Sequence, residues 1–269
     1  MPCIQCRVLS VYFRVMRHTR LIMGMPVTVE VAGPSKHEDL EEVFAYFASV
    51  DERFSTYKKD SEIMRINRGE LAERDYSAPM REVLALAEQT KKETNGYFDI
   101  RQPRRLPADR QGSLDPSGIV KGWAIRNAAQ MLLSKGYRDF YVDAGGDIES
   151  HGANAAGAPW SVGIRNPFNR GEVVKTVYPR GAGVATSGTY IRGQHIYNPH
   201  QPGARIDDIV SLTVIAPNVL EADRLATAAF AMGARGIGFI ASLPHCEGYQ
   251  IDAAGTATMT PGLGRYTTI

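Results

Sequence analysis

Apolar and polar positions alternate along this chain with two distinct periods. In SKHEDLEEVFAYFASVDERF, Leu40, Val43, Phe44 and Phe47 share one face of a 3.6-residue period, which predicts an amphipathic helix with Ser35 as its N-cap. DSEIMRINRGE predicts a short helix between Asp60 as cap and Gly69 as stop. APMREVLALAEQTKKETNG predicts another, closed by Asn95-Gly96, and GIVKGWAIRNAAQMLLSKG a further one ending at Gly136. Two more follow in EADRLATAAFAMG and GARGIGFIASL.

Period-2 alternation marks the strands. RLIMGMPVTVEVAG alternates in its second half and stops at Gly33-Pro34, and DFYVDAGGDIES reads as strand, glycine turn, strand. WSVGIRNP, GAGVATSG, QHIYNP and DIVSLTVIAP are further strand candidates, mostly antiparallel because their connections are short. A polar, proline-containing connection runs from Arg101 to Ser113. With no repeat or long linker, the pattern predicts a single α+β domain of helices packed on an antiparallel or mixed sheet, from about Arg20 to residue 269. Residues 1–19 then form a tail or extension.

Composition narrows the class. A chain of 269 residues with 43% hydrophobic and 22% charged residues is globular rather than disordered. No apolar run approaches the roughly 20 residues of a membrane span, and a net charge of +2 does not favour nucleic acid. Cys3 and Cys6 form a CxxC with no second pair to complete a zinc site, and Cys246 is isolated, so no disulfide framework is expected. The first residues mix apolar and basic positions without the order of an export signal, which leads us to expect a cytoplasmic protein.

Several stretches could carry chemistry. DAGGDIESHG and GAGVATSGTY are glycine-rich but fit neither GxGxxG nor a P-loop. In LDPSGIVKGWAI, Asp115 and Ser117 precede a helix, Gly118 permits close backbone approach and Lys121 emerges one turn in. That arrangement suits a phosphate at a helix N-terminus, or is simply a capped helix with a surface lysine. His195 stands on a predicted strand before Asn198-Pro199; the six histidines show no metal-ligand spacing. Tyr57, Tyr97 and Phe98 either stack on a planar ring or fill the core. Asp223 and Thr227, four apart on one helix, place a carboxylate above a hydroxyl on the same face.

Taken in order, MGMPVTVEV, FSTYKKDSEIMRIN, TNGYFDI, LDPSGIVKGWAI, DAGGDI, ATSGTY, HIYNP and EADRLATAAFAMG resemble the ApbE family of FAD:protein FMN transferases, from Met23 to about Gly233. The resemblance implies FAD as substrate and Mg²⁺ as cofactor. FMN passes to a Ser or Thr hydroxyl of an acceptor protein, and AMP departs. It implies Asp223, Thr227 and the Gly118 carbonyl as metal ligands. Met23, Ser55, Thr56, Tyr57, Tyr97, Phe98, Asp99, Asp115, Lys121, Ile196 and Tyr197 match flavin-contacting positions, and His195 one that activates the acceptor hydroxyl.

The chain departs from the family where the segment between Phe98 and Asp115 is short and where Asn198 replaces a common Asp. Two other readings stay open. With water as acceptor the same site would hydrolyse FAD to FMN and AMP, or the protein would bind flavin without turnover.

Overall fold

A computed structural model of the chain describes residues 15–101, 112–169, 171–189, 196–201 and 203–268. In chain order the strands are β1 (Val15–Ile22), β2 (Met25–Ala32), β3 (Phe140–Ala144), β4 (Asp147–His151) and β5 (Val162–Arg165). They continue with β6 (Val173–Val177), β7 (Gly183–Gly188), β8 (Ile209–Ala216), β9 (Glu247–Asp252) and β10 (Ala257–Met259). The helices are α1 (His37–Phe54), α2 (Glu62–Asn67), α3 (Ala78–Glu93), α4 (Ser117–Ser134), α5 (Val219–Ala231) and α6 (Gly236–Ser242).

Eight strands form one sheet in the order β1-β2-β3-β4-β7-β8-β9-β10, and every pairing in it is antiparallel. β5 and β6 make a separate antiparallel pair. The expected α+β class is what the chain adopts, with the sheet antiparallel rather than mixed.

Alternating side chains explain the layering. On β8, Leu212, Val214 and Ala216 face a core shared with Leu225, Ala229 and Phe230 of α5. Ile215, between them, faces a second core with Val162, Ile164 and Val177 of the β5–β6 pair. A strand covered on both faces reads as one apolar run, which is why DIVSLTVIAP shows little alternation. A third core joins β2 and β3 to α1, α3 and α4 through Val29, Phe44, Phe47, Met80 and Trp123.

The helix edges differ in detail from the sequence expectation. α1 buries the predicted stripe, extended by Val50 and Phe54, but its N-cap is Lys36. The Ser35 hydroxyl is buried without a hydrogen bond, while the Lys36 N–H donates to the Tyr137 hydroxyl at 3.1 Å. Ser61, not Asp60, caps α2: its Oγ accepts the Met64 N–H at 3.2 Å. Asn95 and Gly96 end α3 with φ of 50° and 80°, as their residue types allow.

β1 begins at Val15, before the expected domain edge at Arg20, and pairs along its whole length with β2. Its polar residues suit a sheet edge, where charge blunts unwanted pairing. The two-residue turn at Met23-Gly24, both at positive φ, joins the two strands. Residues 196–199, the described part of the expected QHIYNP strand, belong to no sheet. β6, β9 and β10 were not anticipated. Among the described residues no helix is long and apolar enough to cross a membrane.

Candidate functional site

The site forms where α4 crosses α5. Gly122 makes the crossing possible: a Cβ there would stand 2.7 Å from Asp223 Cβ and 2.9 Å from the Val219 carbonyl oxygen. α5 is held firmly. Asn218 Oδ1 accepts the Glu221 N–H at 3.0 Å, buried Glu149 accepts the Val219 N–H at 2.6 Å, and Arg224 ties the helix to Glu93 of α3 at 2.5 Å. Gly183 of β7 lets the N-terminus of α5 press onto the sheet, since a Cβ would fall 2.0 Å from the Val219 nitrogen.

That crossing gathers three oxygen donors. Asp223 is buried, and its Oδ2 accepts the Gly122 N–H at 2.8 Å. In a regular α-helix that N–H points to the Gly118 carbonyl. The Gly118 oxygen has the Thr227 hydroxyl beside it at 3.5 Å. Carboxylate, hydroxyl and carbonyl thus border one cleft along the first turns of α4.

A second carboxylate and an ammonium complete the polar floor. Asp147, the first residue of β4 after the Gly145-Gly146 turn, is 2% exposed; its Oδ1 accepts the Thr186 N–H at 3.0 Å and its Oδ2 pairs with the Lys121 ammonium. Lys121 Nζ is also 3.5 Å from Asp223 Oδ1. Two acids against one base leave a formal deficit of one positive charge. Burial, with Asp147 adding to it, pushes the Asp223 carboxyl up to about 7 despite the opposing Lys121 and Gly122 N–H. A site that strains to keep a carboxylate charged favours a cation.

The oxygen set fits Mg²⁺, which takes hard oxygen ligands and keeps positions for phosphate and water. Imidazole or thiolate, which would favour zinc, is absent from the described lining of the cleft.

The cleft opens beside this floor. Tyr97, Phe98 and Asp99 form one wall, Asp115 and Gly118 the start of α4, and Ile196 and Tyr197 the opposite side. Buried Phe98 would touch a Cβ on Gly118 at 3.3 Å, and its N–H is held by Thr94 Oγ1 at 3.1 Å. The Tyr97 hydroxyl accepts from Arg235 at 2.5 Å, and its ring meets His200 edge-on at 4.5 Å. Asp99 pairs with Lys91 at 2.8 Å, while the Tyr197 hydroxyl donates to the Arg101 carbonyl at 2.8 Å. Asp115 Oδ1 accepts the Ser117 N–H at 3.1 Å, fixing the entry to α4.

Ten of the sequence candidates therefore border one cleft: Tyr97, Phe98, Asp99, Asp115, Gly118, Lys121, Ile196, Tyr197, Asp223 and Thr227. Four do not. Met23 sits in the β1–β2 turn against the core. Ser55 caps the end of α1, Thr56 follows in the turn, and Tyr57 is 98% exposed. His195 lies outside the described residues. Sequence reasoning missed Thr186 and Ser187, which also line the cleft, and Asp147, which lies behind it and holds Lys121. The available signal was an acid opening the second strand of DAGGDIES, where alternation alone asks for none.

Fold and cleft define a single-domain α+β protein with an oxygen-rich cluster at a helix crossing. The chain belongs to the ApbE family, whose model matches residues 23–106 and 101–250. It is 30% identical over 234 residues to the FAD:protein FMN transferase of Salmonella typhimurium, covering 66% of this chain and 67% of that protein. It is 28% identical over 262 residues to the FAD:protein FMN transferase of Haemophilus influenzae, covering 77% and 75%. Among solved structures, the flavin transferase ApbE from Vibrio cholerae superposes with a TM-score of 0.81 at 22% identity, over 94% of this chain and 99% of that one. The ApbE protein of Thermotoga maritima does so with a TM-score of 0.83 at 21% identity, over 95% and 100%. At those identities the structures speak for the fold.

Proposed function

We propose that this chain is an FAD:protein FMN transferase that uses Mg²⁺ to move FMN from FAD to a Ser or Thr hydroxyl of an acceptor protein, releasing AMP. Family membership and the names of its relatives support flavin transfer. The observation that carries the metal-dependent step is the meeting of Asp223, Thr227 and the Gly118 carbonyl beside Lys121.

In this reading those three groups hold the cation. Bound there, Mg²⁺ supplies charge neutralisation for the diphosphate. Lys121, tethered by Asp147, offers an ammonium to the same phosphates. The Gly122 N–H keeps Asp223 aimed at the crossing. Phe98 shields the floor from water, and the Tyr97 and Tyr197 rings are candidates for stacking on the flavin or adenine.

The acceptor oxygen attacks the phosphorus of the FMN half, and the bond from that phosphorus to the bridging oxygen breaks. AMP leaves with that oxygen. The hydroxyl proton passes to a base, the role that the family resemblance gives His195; a neutral imidazole near its ~6.5 reference pKa suits it.

Purified protein with FAD and Mg²⁺, with and without an acceptor peptide, tests this. Peptide gaining the mass of an FMN group with equimolar AMP is expected. Free FMN and AMP with unlabelled peptide would replace transfer with hydrolysis, and intact bound FAD would leave a binding protein. His195→Ala should cut peptide labelling far more than FAD binding; equal labelling rates would remove His195 from the step.

A further inference from the structure

We propose that His18, His37 and Glu41 form a second metal site that takes a borderline transition-metal ion, Zn²⁺ foremost, and staples β1 to α1. One ligand atom from each lies within 4.8 Å of the others. His37 and Glu41 are one turn apart on α1, and His18 reaches them from β1. The site is remote from the cleft in the sheet order, because β1 is an edge strand and β2 and β3 separate it from β4.

Two of these spacings already match those around a tetrahedral ion. Zinc bonds of ~2.0–2.1 Å put neighbouring ligand atoms about 3.4 Å apart. His37 Nε2 and Glu41 Oε1 are 3.4 Å apart. Two imidazoles on one such ion have ring centres roughly 5 Å apart by the same geometry; the His18 and His37 rings are 5.1 Å apart. His37 Nε2 already faces Glu41 Oε1, and the His18 ring lies against the His37 ring, so the three side chains converge without rearrangement of the backbone.

Two imidazoles and one carboxylate select against Mg²⁺ and for Zn²⁺, Ni²⁺ or Cu²⁺. Three protein ligands leave a fourth position for water. Arg20 competes, because its guanidinium pairs with Glu41. It also lies 4.7 Å over the Phe44 ring, a contact it keeps when a carboxylate oxygen turns to the ion. β1 pairs along its whole length with β2 and α1 packs into the core, so both ligand-bearing elements are held by contacts other than the ion.

The test uses the full chain with Cys3 and Cys6 replaced by serine, in excess Mg²⁺ to occupy the cleft. Zn²⁺ affinity is measured by competition with a chromophoric chelator, and Co²⁺ by its d–d absorption. One equivalent of Zn²⁺ at micromolar affinity or better is expected, with intense tetrahedral Co²⁺ bands. His18→Ala and His37→Ala should each weaken binding by roughly tenfold or more, and Glu41→Gln by less. FMN transfer should be unchanged in these variants, so loss of this site and failure of the cleft's assigned activity are separate results. Only millimolar Zn²⁺ binding, or affinity unaltered in the His18→Ala/His37→Ala double variant, would overturn the proposal.

Discussion

Gly122 and Asp223 are in direct contact across the helix crossing: the glycine N–H donates to the carboxylate at 2.8 Å, and a Cβ on the glycine would stand 2.7 Å from the aspartate Cβ. The contact couples how closely two helices approach to where the Asp223 carboxylate points.

Gly122→Ala should therefore act on both. Alanine gains up to about 1 kcal/mol of helix propensity over glycine, while overpacking costs about 1–3 kcal/mol. The Val219 carbonyl and Leu220 Cα, at 2.9 and 3.0 Å from the added carbon, are backbone and cannot rotate away. The cost wins. Thermal unfolding should show a lower Tm, and Mg²⁺ dependence a weaker apparent affinity; a variant more stable than the parent would refute the close crossing.

Asp147→Asn keeps a carbonyl oxygen for the Thr186 N–H but removes the charge that pairs with Lys121. The ammonium then shifts its balance toward Asp223, 3.5 Å away, where it competes with a cation. Titrating Mg²⁺ into enzyme and FAD should show a severalfold rise in the concentration for half-maximal rate, with FAD affinity little changed. An unchanged Mg²⁺ requirement would make Asp147 purely structural.

Burial raises the Asp223 carboxyl from 3.8 to about 7. A raised folded pKa stabilises the protein below the unfolded value, and that contribution is lost as pH climbs through the folded one. In chelator, the stability of the parent relative to Asp223→Asn should fall between the ordinary carboxylate range and about pH 7. Denaturant titrations showing a difference that rises with pH across that window would reverse the assignment.

Burial, with Glu221 adding to it, pushes the Cys246 thiol up to about 11. Little thiolate exists near neutrality, so iodoacetamide should modify Cys246 in the native protein roughly a hundredfold more slowly than in the denatured chain. Peptide mass spectrometry reads the difference, and comparable rates would contradict the buried placement.

Much of this architecture was legible because it is written at short range. The Leu40–Val43–Phe44–Phe47 stripe is a face of α1, and the glycine turn of DAGGDIES is a hairpin. β1 escaped because Arg17, His18, Thr19 and Arg20 belong to an edge strand, where pairing rather than burial maintains the backbone. Asp223 and Thr227 could be read as a pair from their helical spacing. Asp147 could not: its partners Lys121 and Thr186 come from other elements, and only the sheet brings them together. Tyr57 shows the converse, a residue within a family motif that stands in solvent rather than in the cleft.

The central claim is that a divalent cation is gripped by Asp223, Thr227 and the Gly118 carbonyl, at FAD's phosphates. Crystals grown with FAD and Mn²⁺, measured at a wavelength where manganese scatters anomalously, test it directly. A single strong cleft peak within bonding distance of all three oxygens and of a diphosphate oxygen is expected. Strong density for FAD with no such peak, or with the manganese bound away from the α4–α5 crossing, would contradict it.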